Sequence, residues 1–527
     1  MNLEKSPHKQ FLFLLVGISV IRLFMLLLSP LNLHGDEAQY WYWSRSFDWG
    51  YFSKPPMIAW LIGATTSIFG NGEWAVRLSS ILIHPITAYI LFRTGQFLYD
   101  ARTGFWAGAL YFLMPAVWLS SGIVSTDVAL LLFWALALNA WAHIRETPNI
   151  QWAVLLGIAI GLGFLSKYAM VFFLIALSIG FVFDSKIRRA LRSWHGLLMA
   201  AIAGTLMAPN IIWNARHDFA TLSHTAANAN IQKNLFHPLE FLEFTGSQFL
   251  VFGPIAMMLL ILALYSLIKK KADKTALFLS FFTLVPLLVI CAESLLSRAN
   301  ANWAVNAYIS GSLLAARFGI INAPLWLGRS FALRLLLGIF FTIAVLSPPL
   351  VNALGQANAV KHVRGWPQTN ALVKKITTKG YDKGYGKGYG RQNYSAIAVD
   401  NRLLFFELSY YGLEKDTGLP LHMWLNTNHA THHAEAVAPL PASKTEDGPV
   451  LIINYYWDCP DMKGAIKQAC LNAIYARGKI PFEEKFKSDF KKLEELKPLL
   501  LDLGGGKTRK LRLWAGYGYT PTTANDR

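Results

Sequence analysis

Apolar runs of roughly twenty residues recur along the first two thirds of this chain. They fall at 11–31, 74–93, 103–121, 124–143, 150–166, 168–184, 196–213, 247–268, 275–293, 303–320 and 331–352. An α-helix crosses a bilayer with about 20 apolar residues at about 1.5 Å each. Inside hydrocarbon the backbone must satisfy its own polar groups, which leaves helices or closed barrels. The runs therefore predict a polytopic α-helical membrane protein of about eleven spans. The composition agrees: charged residues are 15% of 527 and hydrophobic residues 54%, where soluble domains carry about 25% charged residues. The mean hydropathy is +0.34. Eighteen Trp and twenty Tyr suit the aromatic belts of membrane interfaces. The first run follows Lys5, His8 and Lys9 as a signal peptide would. It ends in Ser29-Pro30-Leu31-Asn32 without a small-x-small cleavage site, and reads as an uncleaved first span.

The net charge is +18. The basic residues sit in short loops between runs and in the last third, and no nucleic-acid-binding motif accompanies them. Membrane topology and anionic lipid account for them better than nucleic acid does. With a cytoplasmic N-terminus, the inner loops carry Lys186, Arg188, Arg189 and Arg192, Lys269, Lys270, Lys271 and Lys274, and Arg329. The opposite short loops are poorer in Lys and Arg, as the positive-inside rule requires. An odd number of spans then places residues 353–527 outside. The loop 32–73, the turns at Asp127 and Lys167, the loop 214–246 and Arg298 lie on the same side.

Residues 353–527 read as a separate soluble domain. Strand-like runs at 396–399, 450–455 and 510–514 alternate with helical patterns at 401–411 and 461–476, an α/β or α+β arrangement. A period-four Lys-Gly-Tyr tract over 379–391 reads as a flexible loop. Cys459 and Cys470 could pair in an oxidising compartment or stay as thiols; Cys291, within an apolar run, reads as a packing residue. His429, His432 and His433 with Glu435 lack metal-site spacing and read as a surface loop. Gly504-Gly505-Gly506-Lys507-Thr508 lacks the full phosphate-loop pattern.

The polar outliers gather on one face. Asp36, Glu37, Lys54, Asp127, Lys167, Arg298 and Asn302 all fall at outer span ends or outer loops in this topology. Ionisable groups beside spans are expensive to keep and mark functional sites. A carboxylate at the bilayer surface can act as general base toward a hydroxyl. Lys and Arg at that depth can hold a lipid phosphate, and a phosphate bound by fixed positive charge can leave. Most of the aromatics in 40–51 read as interface anchors.

These residues resemble a known family. Asp36-Glu37-Ala38-x-Tyr40 after the first span, Ser53-Lys54-Pro55-Pro56 and Glu73-Trp74-Ala75-Val76-Arg77-Leu78 look like the protein O-mannosyltransferases and lipid A aminoarabinose transferases of the GT-C class. Thr126-Asp127 and Phe164-Leu165-Ser166-Lys167 match further landmarks. Ser297-Arg298-x-x-x-Asn302-Trp303-Ala304, Gly365-Trp366 and Asp400-Asn401-Arg402 are similar to the bacterial lipopolysaccharide galacturonosyltransferase branch. The resemblance implies catalytic roles for Asp36, Glu37 and Asp127. It implies carrier-phosphate binding by Lys54, Lys167 and Arg298, and a sugar or acceptor cavity lined by Tyr40, Asn302 and Trp303. No cofactor is required by this reading, with a divalent metal as the alternative. The position before the lysine, often acidic and metal-associated in the aminoarabinose branch, is Ser53 here, and the Arg that often precedes the tyrosine is Gln39.

The expectation is a membrane glycosyltransferase of the bacterial inner membrane with a periplasmic site. It would move a monosaccharide from a polyprenyl-phosphate carrier, with inversion, to a glycolipid such as lipid A or to a protein. The domains would be 1–352, with the catalytic loop 32–73, and 353–527. A flippase of lipid-linked sugars would also explain spans and buried charge, but transporter sites lie near the midplane rather than at one face. A scaffold protein with an outer binding domain would leave the acidic loop unexplained.

Overall fold

The computed structural model describes residues 6–228, 236–269, 273–379, 393–425, 430–446, 448–455 and 488–521, with Gln468 and Phe486. In chain order the helices are α1 (Pro7–Leu27), α2 (Gly35–Trp43), α3 (Met57–Phe69), α4 (Glu73–Leu98), α5 (Ala101–Phe112), α6 (Pro115–Ser120), α7 (Thr126–Glu146), α8 (Ile150–Ser166), α9 (Val171–Phe183), α10 (Ser185–Leu191), α11 (Trp194–Arg216) and α12 (Ala220–Asn228). There follow α13 (Pro238–Phe252), α14 (Pro254–Lys269), α15 (Lys274–Leu296), α16 (Ala307–Asn322), α17 (Pro324–Leu346), α18 (Pro348–Ala353), α19 (Ala357–Val360), α20 (Trp366–Lys379), α21 (Arg402–Tyr410), α22 (Leu413–Thr417) and α23 (His433–Val437). The chain forms two compact units. One comprises Met1–Ser29 and Phe47–Leu346, the other Pro30–Ser46 and Ser347–Arg527.

The first unit is helical, and every apolar run of the sequence has its helix or broken helix pair. Six helices are long and apolar enough to cross a membrane, or up to eight counting two bent pairs, among the described residues. Met57–Phe69 and Ile150–Ser166 are shorter apolar helices. Eight of the eleven expected runs are accounted for by these long helices and bent pairs among the described residues; 150–166 and 303–320 form shorter helices of 17 and 16 residues, and 103–121 is interrupted by local chemistry. Before Pro115, Met114 takes φ −57 and ψ 134, the extended geometry that a following proline imposes, so 103–121 divides into α5 and α6. At 247–268 Gly253 has φ +90 and precedes Pro254, which separates α13 from α14.

The core of this unit is unusually aromatic for residues expected at interfaces. Trp118, Trp134, Trp141, Tyr111 and Tyr308 are at most 1% exposed. Their ring faces fill space between helices, so the interface-belt expectation fails for them. Two buried arginines complete the helix break. Arg22 donates to the Phe112 carbonyl at 2.6 Å, and Arg334 donates to the Leu110 carbonyl. These carbonyls close α5, where a helix leaves its last acceptors without intrahelical donors.

The second unit carries a five-stranded sheet of order β2-β1-β3-β5-β4, built from β1 (Ala396–Val399), β2 (Leu421–Met423), β3 (Val450–Asn454), β4 (Phe490–Gly504) and β5 (Lys507–Tyr519). β1 pairs in parallel with β2 and β3, and β5 runs antiparallel to β3 and β4. β1 and β3 are buried at every residue, as strands covered on both faces are. The expected strands at 396–399, 450–455 and 510–514 match β1, β3 and part of β5, and the expected helix at 401–411 matches α21. β2 and β4 carry no clear alternation in the sequence. The helical pattern at 461–476, the tract 379–391, His429, Cys459 and Cys470 lie wholly or almost wholly outside the described residues. Gly505 and Gly506, at φ +61 and +71, form the tight turn between β4 and β5, a hairpin geometry that needs two left-handed residues. The glycine run thus serves a turn and not a phosphate.

Candidate active site

In the first unit the site is made by helix ends. Asp127 lies in the first turn of α7, and Lys167 caps the C-terminus of α8. The connection between the two helices is short, so they pack antiparallel and the start of one meets the end of the other. A carboxylate at a helix N-terminus and an ammonium at a C-terminus each complement the helix dipole. Lys167 Nζ donates to Asp127 Oδ1 at 2.7 Å, and Asn302 Nδ2 donates to Asp127 Oδ2 at 2.7 Å. Both oxygens of Asp127 are engaged, and its side chain is 11% exposed against 21% for Lys167. Asn302 belongs to the 3₁₀ turn Ala301–Ala304, which Gln248 holds by donating to the Ala301 carbonyl at 3.0 Å while accepting from the Tyr308 hydroxyl at 2.8 Å. Trp303, next to Asn302, packs with Phe244, Ile290 and Ala304. Arg298 is exposed in the segment between α15 and this turn.

Lys54 sits in a turn closed by paired backbone hydrogen bonds between Tyr51 and Lys54, 3.1 and 3.3 Å long. The turn is braced from α11 and α12. Asn210 donates to the Trp49 carbonyl at 2.6 Å, and Thr221 donates to the Tyr51 carbonyl at 2.8 Å. The Tyr168 hydroxyl, one residue from Lys167, donates to Asn210 Oδ1 at 2.9 Å. A single buried amide therefore ties the Lys54 turn to the neighbour of Lys167. Gly50 allows the approach of Trp213, whose ring would lie 2.4 Å from a Cβ there. Burial and the charge of Asp48 push the Tyr51 phenol up to about 12, so it stays protonated at neutral pH.

In the second unit α2 presents Asp36. His34 and Glu37 form a capping box: Glu37 Oε2 accepts from the His34 N–H at 2.9 Å, and His34 Nδ1 accepts from the Asp36 N–H at 3.2 Å. Glu37 is 1% exposed, whereas the Asp36 side chain is 42% exposed. Arg402, the first residue of α21, places Nη1 3.0 Å from Asp36 Oδ1 and donates to Gln39 Oε1 at 2.5 Å. Its neighbours set that position. Asn401 caps α21 by accepting from the N–H groups of Leu403 and Leu404, and Asp400 accepts from the Tyr455 N–H at 3.0 Å. α2 and α21 approach closely because position 35 is glycine; a Cβ there would lie 2.6 Å from Leu403 Cδ2.

The structure thus joins Asp127, Lys167 and Asn302, and places Asp36, Glu37 and Tyr40 together on α2, which packs in the unit of the C-terminal sheet. The compact units divide the loop 32–73 between Ser46 and Phe47. The aromatics of α2 differ from the interface-anchor expectation. Tyr42 lies 5.4 Å from Phe406 and Trp41 4.9 Å from Tyr410, ring centre to ring centre. Trp43 is 1% exposed and contacts His433 edge-on. His433 is therefore part of an aromatic cluster, and His432 caps α23 through the Glu435 N–H. Among the described residues no group of His, Cys, Asp or Glu is arranged to hold a metal. Sequence reasoning missed Arg402, Asn210, Tyr168 and Gln248 as site residues. For Arg402 the signal was present in the Asp-Asn-Arg run; for Asn210 and Gln248 it was a lone amide inside an apolar run.

The helical unit with charged helix ends and the appended sheet have counterparts. Residues 53–213 match the family model of dolichyl-phosphate-mannose-protein mannosyltransferases. The chain is 35% identical over 344 residues to the lipid A galacturonosyltransferase RgtD of Rhizobium johnstonii, covering 65% of this chain and 72% of that one. It is 28% identical over 163 residues to the undecaprenyl phosphate-alpha-4-amino-4-deoxy-L-arabinose arabinosyl transferase of Pseudomonas savastanoi pv. phaseolicola, covering 27% and 30%. The fold is similar to that of ArnT from Cupriavidus metallidurans solved with undecaprenyl phosphate, with TM-score 0.61, 15% identity and coverage of 98% and 99%. Fold and relatives together define an integral-membrane glycosyltransferase. The chain belongs to the GT-C family of polyprenyl-phosphate-sugar glycosyltransferases, on the branch that holds the lipid A galacturonosyltransferase.

Proposed function

We infer that this enzyme transfers a uronic acid, as galacturonic acid, from a polyprenyl-phosphate carrier to lipid A or a related envelope glycolipid at the periplasmic face of the bacterial inner membrane. The observation that carries the reading is the 35% identity to the lipid A galacturonosyltransferase over 72% of that relative's length. The Asp127–Lys167–Asn302 cluster and the Arg402-held Asp36 are chemically suited to it.

In this reading an acceptor oxygen attacks the anomeric carbon as the bond from that carbon to the phosphate oxygen breaks. The electron pair of that bond leaves on the carrier phosphate. Lys54 and Arg298 hold the phosphate and stabilise the charge it gains. Lys167 either contributes to that field or keeps Asp127 fixed, and the resting 2.7 Å contact favours the second. When the acceptor is a hydroxyl, its proton goes to the Asp36 carboxylate, which Arg402 and Gln39 orient. When the acceptor is an ionised phosphate no proton moves, and Asp36 only positions it. Glu37 acts on α2 through its cap and not on substrate. Tyr40 and Trp303 shape the cavity walls. The donor supplies its own leaving group, and no step calls for a metal or a nucleotide.

The test is membranes bearing Asp36→Asn supplied with radiolabelled polyprenyl-phosphate galacturonic acid and lipid A. Loss of labelled lipid A with normal amounts of protein is expected. Undiminished transfer would remove Asp36 from the chemistry, and sugar crossing the membrane without transfer would make the protein a flippase.

A further inference from the structure

α13 and α14 meet at 107° across Gly253. The bend is held by a charge placed where charge is expensive. Arg334 of α17 is 2% exposed and donates both to the Leu110 carbonyl and to the Phe252 carbonyl, the last of α13. A Cβ at position 253 would lie 3.2 Å from Arg334 Nε. A straight helix would satisfy the Phe252 carbonyl with its own backbone and would need no arginine. Cationic side chains inside a membrane bundle are costly and are kept where they serve something.

What lies at the bend is a cavity of about 490 Å³, lined among others by Phe249, Pro254, Met258, Leu262, Ala323 and Trp326. Every lining side chain is apolar. Met258 and Trp326 are 48% and 51% exposed, so the cavity opens outward from the bundle. One cation lies against its Trp326 wall, and a second lies further along α14. The Arg329 guanidinium lies 4.7 Å from the centre of the Trp326 ring. On α14 the stripe through Met258 and Leu262 continues at helical spacing to Tyr265 and Lys269, and the Lys269 ammonium lies 4.8 Å from the Tyr265 ring. Among the described residues neither cation has a carboxylate partner.

An apolar cavity with the Arg329 guanidinium against its Trp326 wall complements an amphiphile that has a carbon chain and a negative head. We propose that it binds one anionic phospholipid, with an acyl chain beside Met258 and Leu262 and the headgroup phosphate on Arg329. Arginine suits this role because its fork can donate to two phosphate oxygens at once. The Arg334-held bend is then the device that keeps the acyl slot open.

The experiment is native mass spectrometry of the full-length protein in detergent, equilibrated separately with phosphatidylglycerol and with phosphatidylcholine. One phosphatidylglycerol per chain should survive activation that strips phosphatidylcholine. Arg329→Ala, at an exposed position, should lower that retention roughly tenfold, the size of one lost charge-assisted hydrogen bond. Met258→Trp should lower it by filling the slot while leaving the cations in place. Equal retention of the two lipids, or retention of phosphatidylglycerol unchanged by Arg329→Ala, overturns the proposal. So does replacement of the phospholipid by polyprenyl phosphate when both are offered.

Discussion

The Asp36 carboxylate and the Arg402 guanidinium lie 3.0 Å apart, although the two residues come from the first loop and the last third of the chain. The same Nη1 donates to Gln39, one turn along α2 from Asp36. Arg402 thus ties the acid to Gln39 through one nitrogen. Arg402→Gln should leave the protein folded and lower turnover by about tenfold to a hundredfold, as expected for a lost hydrogen bond to a charged group. Arg402→Lys should recover only part of it, because a strongly hydrated ammonium on a different stem does not place its donor where Nη1 sits. Labelled transfer to lipid A with kcat and KM separated is the measurement; a change confined to KM would argue that Arg402 binds substrate instead of orienting Asp36.

Asp127 and Lys167 are paired at 2.7 Å with little exposure of either side chain. If Lys167 mainly holds Asp127, the double variant Asp127→Asn/Lys167→Met should be scarcely worse than either single one. The expected coupling is about 1–3 kcal/mol in transition-state free energy. Additive losses in kcat/KM would instead show that Lys167 works independently on the carrier phosphate.

The Asn210 amide braces the Trp49 carbonyl and the Tyr168 hydroxyl at once. Asn210→Ala leaves a partly buried carbonyl and a hydroxyl without this partner, a loss of about 1 kcal/mol. The loss should be felt at Lys54, as a raised KM for the polyprenyl-phosphate donor with the acceptor KM unchanged. Asn210→Asp keeps the acceptor side toward Tyr168 but loses the donor toward Trp49, and should recover little.

Arg334 joins α5, α13 and α17 through two backbone carbonyls. Arg334→Leu removes two charge-assisted hydrogen bonds and should cost roughly 3 kcal/mol or more. Thermal unfolding in detergent should show a clear fall in Tm, and Arg334→Lys should not restore it. An unchanged Tm would mean that water replaces the guanidinium at both carbonyls.

Burial, reinforced by the neighbouring His432, depresses His433 to about 4. The unfolded imidazole titrates near its ordinary value of about 6.5, so between these values the unfolded chain holds the extra proton. Stability therefore rises with pH across this window, is fully present above it, and falls by up to about 3 kcal/mol on acidification to pH 4. His433→Phe should flatten that part of the pH–stability curve. Hydrogen exchange over α23 and α21 from pH 7 to 4 would detect the change, and an equal slope in both proteins would assign the acid sensitivity elsewhere.

Much of the fold could be read from residue order. Apolar run length located most helices of the first unit but not α3, α10 or α12, and the strands at 396–399 and 450–455 announced themselves as short, bounded apolar runs. What misled was continuity. Run length does not register that Met114 must adopt an extended backbone before Pro115, or that Gly253-Pro254 turns the chain by 107°. The aromatic count suggested interface belts, yet Trp118, Trp134 and Trp141 fill the core, because packing space between helices is as apolar as the lipid outside.

The sequence by itself determined the class of the protein and the residue types available for its chemistry, since hydrophobic length and the cost of charge near a bilayer depend on composition and order alone. Which of those residues act on one another was decided only by tertiary structure. Asp127 meets Lys167 and Asn302 because antiparallel helices bring one start beside another's end, and Asp36 meets Arg402 because Gly35 lets α2 close on α21. Hydrogen bonds of this kind act over about 3 Å, and no spacing along the chain encodes such a distance between segments that meet only on folding.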